Sequence, residues 1–312
     1  MFTSVKFGIY RCPTCHSELN FDASALRCRR CDVAYPVSDG IADFAAGKYY
    51  DNFDQASALT LEHLRGLELE NEGAISRIRS YYLRRLRPGS RVLDAGCGNA
   101  ISVDLLRSEG HDAWGIDLSL LRRWQWRERT HRENLAVASV SRLPFVDAFF
   151  DFVISSGVIE HVGVEEEVTE RYMVRPRPDR DAERRAVMGE LLRVLAAGGT
   201  LYLDFPNGAF PIDFWHNKRA GQARFHSIRE GFLPTFNEIK SLAIGIDPRL
   251  SVAAVSPNGR LAFRQAGRHW YGRMFGGPAR LLFRAMDYFP ILARSFLNPF
   301  LVIRIRKPVR GA

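Results

Sequence analysis

Three sets of side chains in this 312-residue sequence are spaced for chemistry. The first is Asp94-Ala95-Gly96-Cys97-Gly98-Asn99, which follows the apolar pair Val92-Leu93 and precedes an isolated acid, Asp117, at the end of Ala113-Trp114-Gly115-Ile116. Two glycines at that spacing let the backbone turn tightly and approach a ligand where a Cβ would collide. A carboxylate at the end of the next strand is placed to accept hydrogen bonds from the hydroxyls of a ribose. The dinucleotide pattern G-x-G-x-x-G is broken by Ile101, and no G-K-[ST] follows to hold phosphates. These residues therefore favour a nucleoside without a phosphate. The second set is Cys12-Pro13-Thr14-Cys15 and Cys28-Arg29-Arg30-Cys31, with 12 residues between the pairs. Such knuckles can present four thiolates tetrahedrally to Zn²⁺. Two redox-active pairs are the other reading, but neither pair has the βαβ surroundings of a thioredoxin-like site. The third set is His161 with Asp213 and His216, acid–base candidates whose placement depends on the elements that carry them.

Those elements are legible in outline. Val92 to Asp94 reads as a buried strand. Ile101, Leu105 and Leu106 give the next segment one apolar helical face, Gly110 stops it, and Ala113 to Ile116 is the following strand. Upstream, Ile75, Ile78, Tyr82 and Leu86 recur at helical spacing and Pro88-Gly89 ends that helix. The expected organisation is a four-cysteine ribbon over residues 1–46, a helical bridge over 47–90, and a doubly wound α/β domain over 91–312. An insertion at about 206–296 precedes a last strand, Phe300 to Arg306. Residues 163–185, with Glu165-Glu166-Glu167, read as a solvated loop and helix start.

The glycine loop and ribose acid resemble those of the class I S-adenosylmethionine-dependent methyltransferases, whose Rossmann-like fold is α/β. The resemblance extends through Leu143-Pro144-Phe145-Val146-Asp147 and the strand to Ile154, through Glu160-His161-Val162, and through Glu190 to Leu201. It covers about residues 75–205. Ala197 stands where the family usually has proline. The resemblance implies S-adenosyl-L-methionine as cofactor, held by Asp94, Gly96, Gly98, Asp117, Leu118, Ser139, Val140 and Ser155. Ser139 replaces the acid that commonly meets the adenine amine, which puts that contact in doubt or hands it to the backbone of Val140. Tyr49-Tyr50-Asp51 resembles a segment that closes over the cofactor, with core packing as the other reading. Residues 8–45 resemble the small zinc-ribbon proteins that activate tRNA, rRNA and release-factor methyltransferases, which implies structural zinc on Cys12, Cys15, Cys28 and Cys31.

Methyl transfer is in-line attack on a sulfonium methyl, with a proton to remove when the nucleophile is oxygen. Ser155-Ser156-Gly157-Val158 is not N-P-P-[YF], which disfavours exocyclic amine methylation. No cysteine follows Cys97, which disfavours a covalent cysteine route. His161, Asp213 and His216 remain as catalytic candidates. The aromatic setting Phe205-Pro206-Asn207 to His216 suits a sugar or lipid, so the expected reaction is O-methylation of a glycan, glycolipid or other small acceptor. An rRNA or tRNA methyltransferase and a catalytically silent scaffold subunit are the alternatives.

Charge bears on the partner. Residues 260–312 hold 11 Lys or Arg and one acid, Asp287, while the preceding residues hold 33 basic and 34 acidic groups, so the net +9 is local. With interleaved aromatics such as Phe263, Trp270, Tyr271 and Phe283, this region is suited to RNA, anionic membrane or a phosphate-linked acceptor. A generic arginine-rich surface is the bland reading. At 46% apolar and 25% charged the chain can bury a sizeable core. Neither a signal peptide nor a run of roughly 20 apolar residues is evident, so a cytoplasmic location without disulfides is expected.

Overall fold

The computed structural model describes residues 4–22, 24–54, 60–168, 172–216, 223–260 and 270–309. Four short strands open the chain: β1 (Asn20–Asp22), β2 (Ala25–Cys28), β3 (Val33–Ser38) and β4 (Ile41–Asp43). Helix α1 (Leu61–Arg77) leads through one π-helical turn, Ile78–Tyr82, into β5 (Arg91–Ala95). Then come α2 (Ile101–Ser108), β6 (Asp112–Asp117), α3 (Leu120–Gln125), β7 (Leu135–Val137) and β8 (Phe150–Ser156). A hairpin, β9 (Val164–Val168) and β10 (Tyr172–Pro176), precedes α4 (Arg180–Val194) and β11 (Leu195–Pro206). The chain continues as β12 (Ile212–Asp213), β13 (Arg224–Phe225), α5 (Phe236–Ile244), β14 (Ser251–Val255), α6 (Trp270–Tyr288), α7 (Pro290–Ala293) and β15 (Phe300–Arg306).

Eleven strands share one sheet in the order β1-β2-β3-β4-β7-β6-β5-β8-β11-β15-β14. The strands from β4 to β11 are parallel, and β15 turns the far edge antiparallel. Parallel strands covered on both faces read as continuous apolar runs, as in Val92-Leu93 and Val153-Ile154, all fully buried. The order reverses between β5 and β8, and ligands of open α/β sheets bind beyond the carboxyl ends at such a switch point. The glycine loop leaves β5 there.

The cysteine ribbon is continuous with this sheet. Its last strand, β4, pairs in parallel with β7 through Ala42 with Ala136 and Asp43 with Val137. Tyr10, buried, stacks on Phe145 with centroids 5.5 Å apart and meets the Trp114 ring edge-on at 5.9 Å. The ribbon and the α/β domain thus share one apolar cluster that runs from Phe7 and Tyr35 to Leu93 and Phe150. Two segments differ from the sequence reading. In residues 163–185, read as a solvated loop and helix start, the helix start is that of α4 but the loop part carries the β9–β10 hairpin, where the glutamate run alternates: Glu165 and Glu167 are exposed while Glu166 turns inward. Between 206 and 296, α5 and β14 join the main layers, with β14 pairing β15.

Candidate functional site

The glycine loop is built for close approach. Gly96 has φ +89°, and a Cβ there would lie 2.3 Å from Cγ2 of Val158, so only glycine fits without displacing that valine. Its amide and that of Cys97 both donate to the Ile116 carbonyl, at 2.9 and 2.8 Å, which ties the loop to β6. Asp117 closes the arrangement. Its carboxylate accepts from the amides of Gly98 at 2.9 Å and Ser119 at 3.1 Å. One lone pair on each oxygen remains for a ligand hydroxyl. Burial pushes the Asp117 carboxyl up, against the pull of those two amides.

These residues line a cleft of about 1710 Å³. Gly96, Gly98, Asp117, Leu118, Ser139 and Val140 all lie on its wall. Asp94 and Ser155 do not. Asp94 sits buried behind the loop, where Ser102 donates to it and Arg77 lies 3.9 Å away, and burial raises its pKa. Ser155 faces the core, and its neighbour Ser156 takes the cleft wall, as the two-residue period of a strand requires.

Sequence reasoning passed over Arg77 and left Tyr49-Tyr50-Asp51 between closing over the cofactor and packing in the core. Asp51 accepts from the Ser119 hydroxyl at 2.6 Å and the amides of Leu120 and Leu121 at 2.7 and 3.3 Å, which pins Tyr49-Tyr50-Asp51 to the start of α3. The helix-capping pattern could have revealed it only with β6 and α3 already placed. Tyr50 is exposed on the cleft wall, while Tyr49 donates to Asp43 at 2.9 Å. Arg77 also lines the cleft, and its Nε has no hydrogen-bond partner. A cationic side chain there could take the carboxylate of an amino-acid moiety.

Two histidines converge beside the same cleft. His161, after β8, and His216, after β12, have ring centroids 5.1 Å apart and meet edge to face. Glu166 of the β9–β10 hairpin holds His161 Nδ1 at 2.6 Å, and Tyr172 donates to the same carboxylate. Asp213 holds His216 Nδ1 at 2.9 Å, and Arg224 braces Asp213 at 3.4 Å. Phe232 walls both imidazoles, at 5.6 and 4.7 Å. Burial pulls the His161 pKa down, but the Glu166 hydrogen bond and the charges of Glu160 and Glu166 outweigh it and hold the ring above the ordinary histidine range. His161 lines the cleft. The three catalytic candidates are thus together, with His161 on the cleft wall.

Comparison with known proteins matches part of the α/β region. A family profile described as a methyltransferase domain matches residues 93–203, which span the glycine loop, Asp117 and His161. Residues 93–203 form a methyltransferase domain. A second profile, Trm112p-like protein, matches residues 9–40. A relative from Mycolicibacterium smegmatis named as a probable S-adenosylmethionine-dependent methyltransferase is 27% identical over 119 residues, 38% of this chain and 39% of its own. The chain therefore aligns with about two fifths of that relative's length. Among solved structures, a TehB-like SAM-dependent methyltransferase from Corynebacterium glutamicum is 16% identical with a TM-score of 0.47, covering 81% of this chain and 100% of its own. A chain from the Haloferax volcanii Trm112 methyltransferase activator complex is also 16% identical, with a TM-score of 0.45, covering 80% and 98%.

The methyltransferase domain fits S-adenosylmethionine on the grounds of its own residues: the Cβ-free cradle at Gly96 and the carboxylate of Asp117 on the cleft wall beside it. The Trm112p-like ribbon fits zinc. Sγ atoms of Cys12 and Cys31 lie 3.9 Å apart, those of Cys15 and Cys28 3.5 Å, and all four fall within 4.8 Å of one another. Zn–S bonds of about 2.3 Å place the sulfurs of a tetrahedron roughly 3.8 Å apart. None of the four cysteines lines the cleft, which gives the zinc a structural role.

Of the C-terminal basic region, residues 260 and 270–309 are described, with Phe263 and the other residues of 261–269, and the side chains of Trp270 and Tyr271, outside the described residues. Helix α6 turns Ala279 and the buried Phe283 to the cleft. Its outer side leaves Leu281 and Tyr288 exposed at 70% and 80%, continued by Phe289, Ile291 and Phe296, with Arg280, Arg284 and Arg294 exposed among them. No helix among the described residues is long and apolar enough to cross a membrane.

Proposed function

We propose that the whole chain transfers the methyl group of S-adenosylmethionine to a hydroxyl of a lipid-linked or glycan acceptor at the cytoplasmic face of a membrane. The observation that carries this reading is that His161 lines the same cleft as Gly96 and Asp117. The cofactor, when bound, supplies the electrophilic methyl. Gly96 and Gly98 let it approach the backbone, Asp117 takes its ribose hydroxyls, and Arg77 its carboxylate. His161, made more basic by Glu166, accepts the acceptor proton. Asp213 orients His216, and the neighbouring Phe214 and Trp215 line the cleft on the acceptor side.

The acceptor class rests on α6. The helix whose inner side lines the cleft presents aliphatic and aromatic side chains with arginines on its outer side, the composition that lies on anionic lipid. A membrane at this face would bring a lipid-anchored acceptor to the cleft mouth. The local positive charge and the Trm112p-like ribbon support RNA as the second reading. Incubation with methyl-labelled S-adenosylmethionine and, separately, cell lipid extract, soluble glycans and total RNA decides between them. Label in the lipid or glycan fraction supports the reading, and label in RNA alone overturns it.

A further inference from the structure

Glu160 precedes His161 and is 1% exposed, yet neither oxygen of its carboxylate has a hydrogen-bond partner. A bare carboxylate is costly to bury unless a cation or donor meets it. The nearby guanidiniums are engaged elsewhere: Arg184 donates to the backbone carbonyls of Glu160 and Phe232 at 3.0 and 2.6 Å, and Arg224 pairs with Asp213 and Glu230. What the carboxylate does have within reach is two imidazoles. One ligand atom from each of Glu160, His161 and His216 lies within 4.8 Å of the other two.

The outer surroundings match those of a metal site. Metal-bound histidines characteristically donate their other ring nitrogen to a carboxylate, which fixes tautomer and orientation. Here both do. Glu166 holds Nδ1 of His161 and Asp213 holds Nδ1 of His216, so Nε2 is the nitrogen each ring has left to offer. Tyr172 and Arg224 in turn brace those two carboxylates, and Phe232 keeps one side of the cluster apolar. We propose that Glu160, His161 and His216 form a three-ligand site for a divalent first-row transition ion, with an open coordination position facing the cleft. Two imidazole nitrogens and one carboxylate oxygen suit Zn²⁺ or Mn²⁺ rather than the all-oxygen shells of Ca²⁺ and Mg²⁺.

Such an ion would lie beside the cleft on the acceptor side, 55 residues of chain having been folded back to bring His216 to His161. In a metal-loaded protein the open position would take the acceptor hydroxyl and lower its pKa so that its proton leaves to solvent, whereas in the metal-free protein His161 is the proton acceptor. That last consequence rests on the methyl-transfer reading, whereas metal binding does not.

The test is calorimetric titration of Zn²⁺ and, separately, Mn²⁺ into full-length protein that retains its ribbon zinc, with metal content measured before and after. The expected result is one additional equivalent for at least one ion, lost in both Glu160→Gln and His216→Ala while the ribbon equivalent and S-adenosylmethionine binding persist. Retained cofactor binding shows that the variants are folded. No additional equivalent for either ion in the unaltered protein, or binding that survives in both variants, overturns the proposal. Methylation of RNA instead of a hydroxyl acceptor would overturn the proposed function and leave the metal result standing.

Discussion

The carboxylate of Asp204, fully buried in β11, carries the guanidinium of Arg260, which reaches it from the segment after β14. Tyr82, in the π-helical turn, and Ser156, on the cleft wall, donate to the same carboxylate. One buried anion thus joins the bridge helix, two central strands and the C-terminal region behind the cleft. Asp204→Asn leaves the guanidinium without a counter-charge, and breaking one side of a buried pair costs roughly 3–5 kcal/mol. Because the Arg260 side chain keeps 12% exposure at the cleft, about 3 kcal/mol is expected. Urea denaturation checks this, and a loss below about 1 kcal/mol would mean that the pair is effectively solvated.

Acid sensitivity follows from the same group. Burial raises the pKa of Asp204, but Arg260 outweighs it and holds the carboxyl below the usual range; Asp213 is likewise held down, by His216. A lowered folded pKa contributes stability above the unfolded value that is lost as pH falls through the folded one. Unfolding free energy measured from pH 6 downward should fall steeply through and below the ordinary aspartate range of about 3.9. The Asp204→Asn variant should show a shallower fall over that window.

Asp117 is the proposed ribose contact. In that role its replacement by alanine would remove two charge-assisted hydrogen bonds to the ribose, each worth roughly 1.5–3 kcal/mol, and it releases the Gly98 and Ser119 amides. Binding should weaken at least tenfold in titration calorimetry. Unchanged affinity would remove Asp117 from the ribose site.

A pH–rate profile tests His161 as the proton acceptor. In metal-free cleft conditions the base must be neutral, so turnover rises with pH through a pKa above the ordinary histidine value of about 6.5. Glu166→Gln removes the interaction that raises it, and the rising limb should move to lower pH. A limb that stays in place in that variant assigns the proton to another group.

Zinc loss should be felt across the sheet. Cys28→Ser removes one thiolate, and coordination of zinc contributes folding free energy directly. Hydrogen exchange should accelerate through residues 8–45 and also in β7, which pairs with β4, while β5, β8 and β11 remain protected. Full protection of β7 in a zinc-free variant would show that the ribbon docks without its metal.

The glycine loop, Asp117 and the cysteine knuckles were legible because each is a local pattern whose residue types are dictated by backbone geometry or coordination. The same holds for β5 to β8, whose apolar runs state their own burial. What the sequence concealed was set by pairing. Ser155 and Ser156 are chemically identical, and only the phase of β8 decides which meets the cleft. Glu166 hid in a run of three glutamates until the β9–β10 register turned it toward His161. Glu160 reads as part of a familiar Glu-His-Val string, and its missing partners become visible only with its surroundings in place. The union of β4 with β7 rests on backbone hydrogen bonds, which leave no side-chain signature.

That union also sets an order of assembly. Ala42 and Ala136 are partners separated by 94 residues, so β4 emerges from synthesis long before the strand it must lie beside. Contacts of such separation form late, since loop closure must precede their gain. The metal-bound hairpins can organise first, as a preformed template waiting for β7. Until they dock, β7 is a bare parallel edge of the kind that recruits foreign strands. A chain starved of zinc during synthesis would then fail by self-association through that edge, an outcome visible as aggregation in culture before any loss of catalysis could be measured.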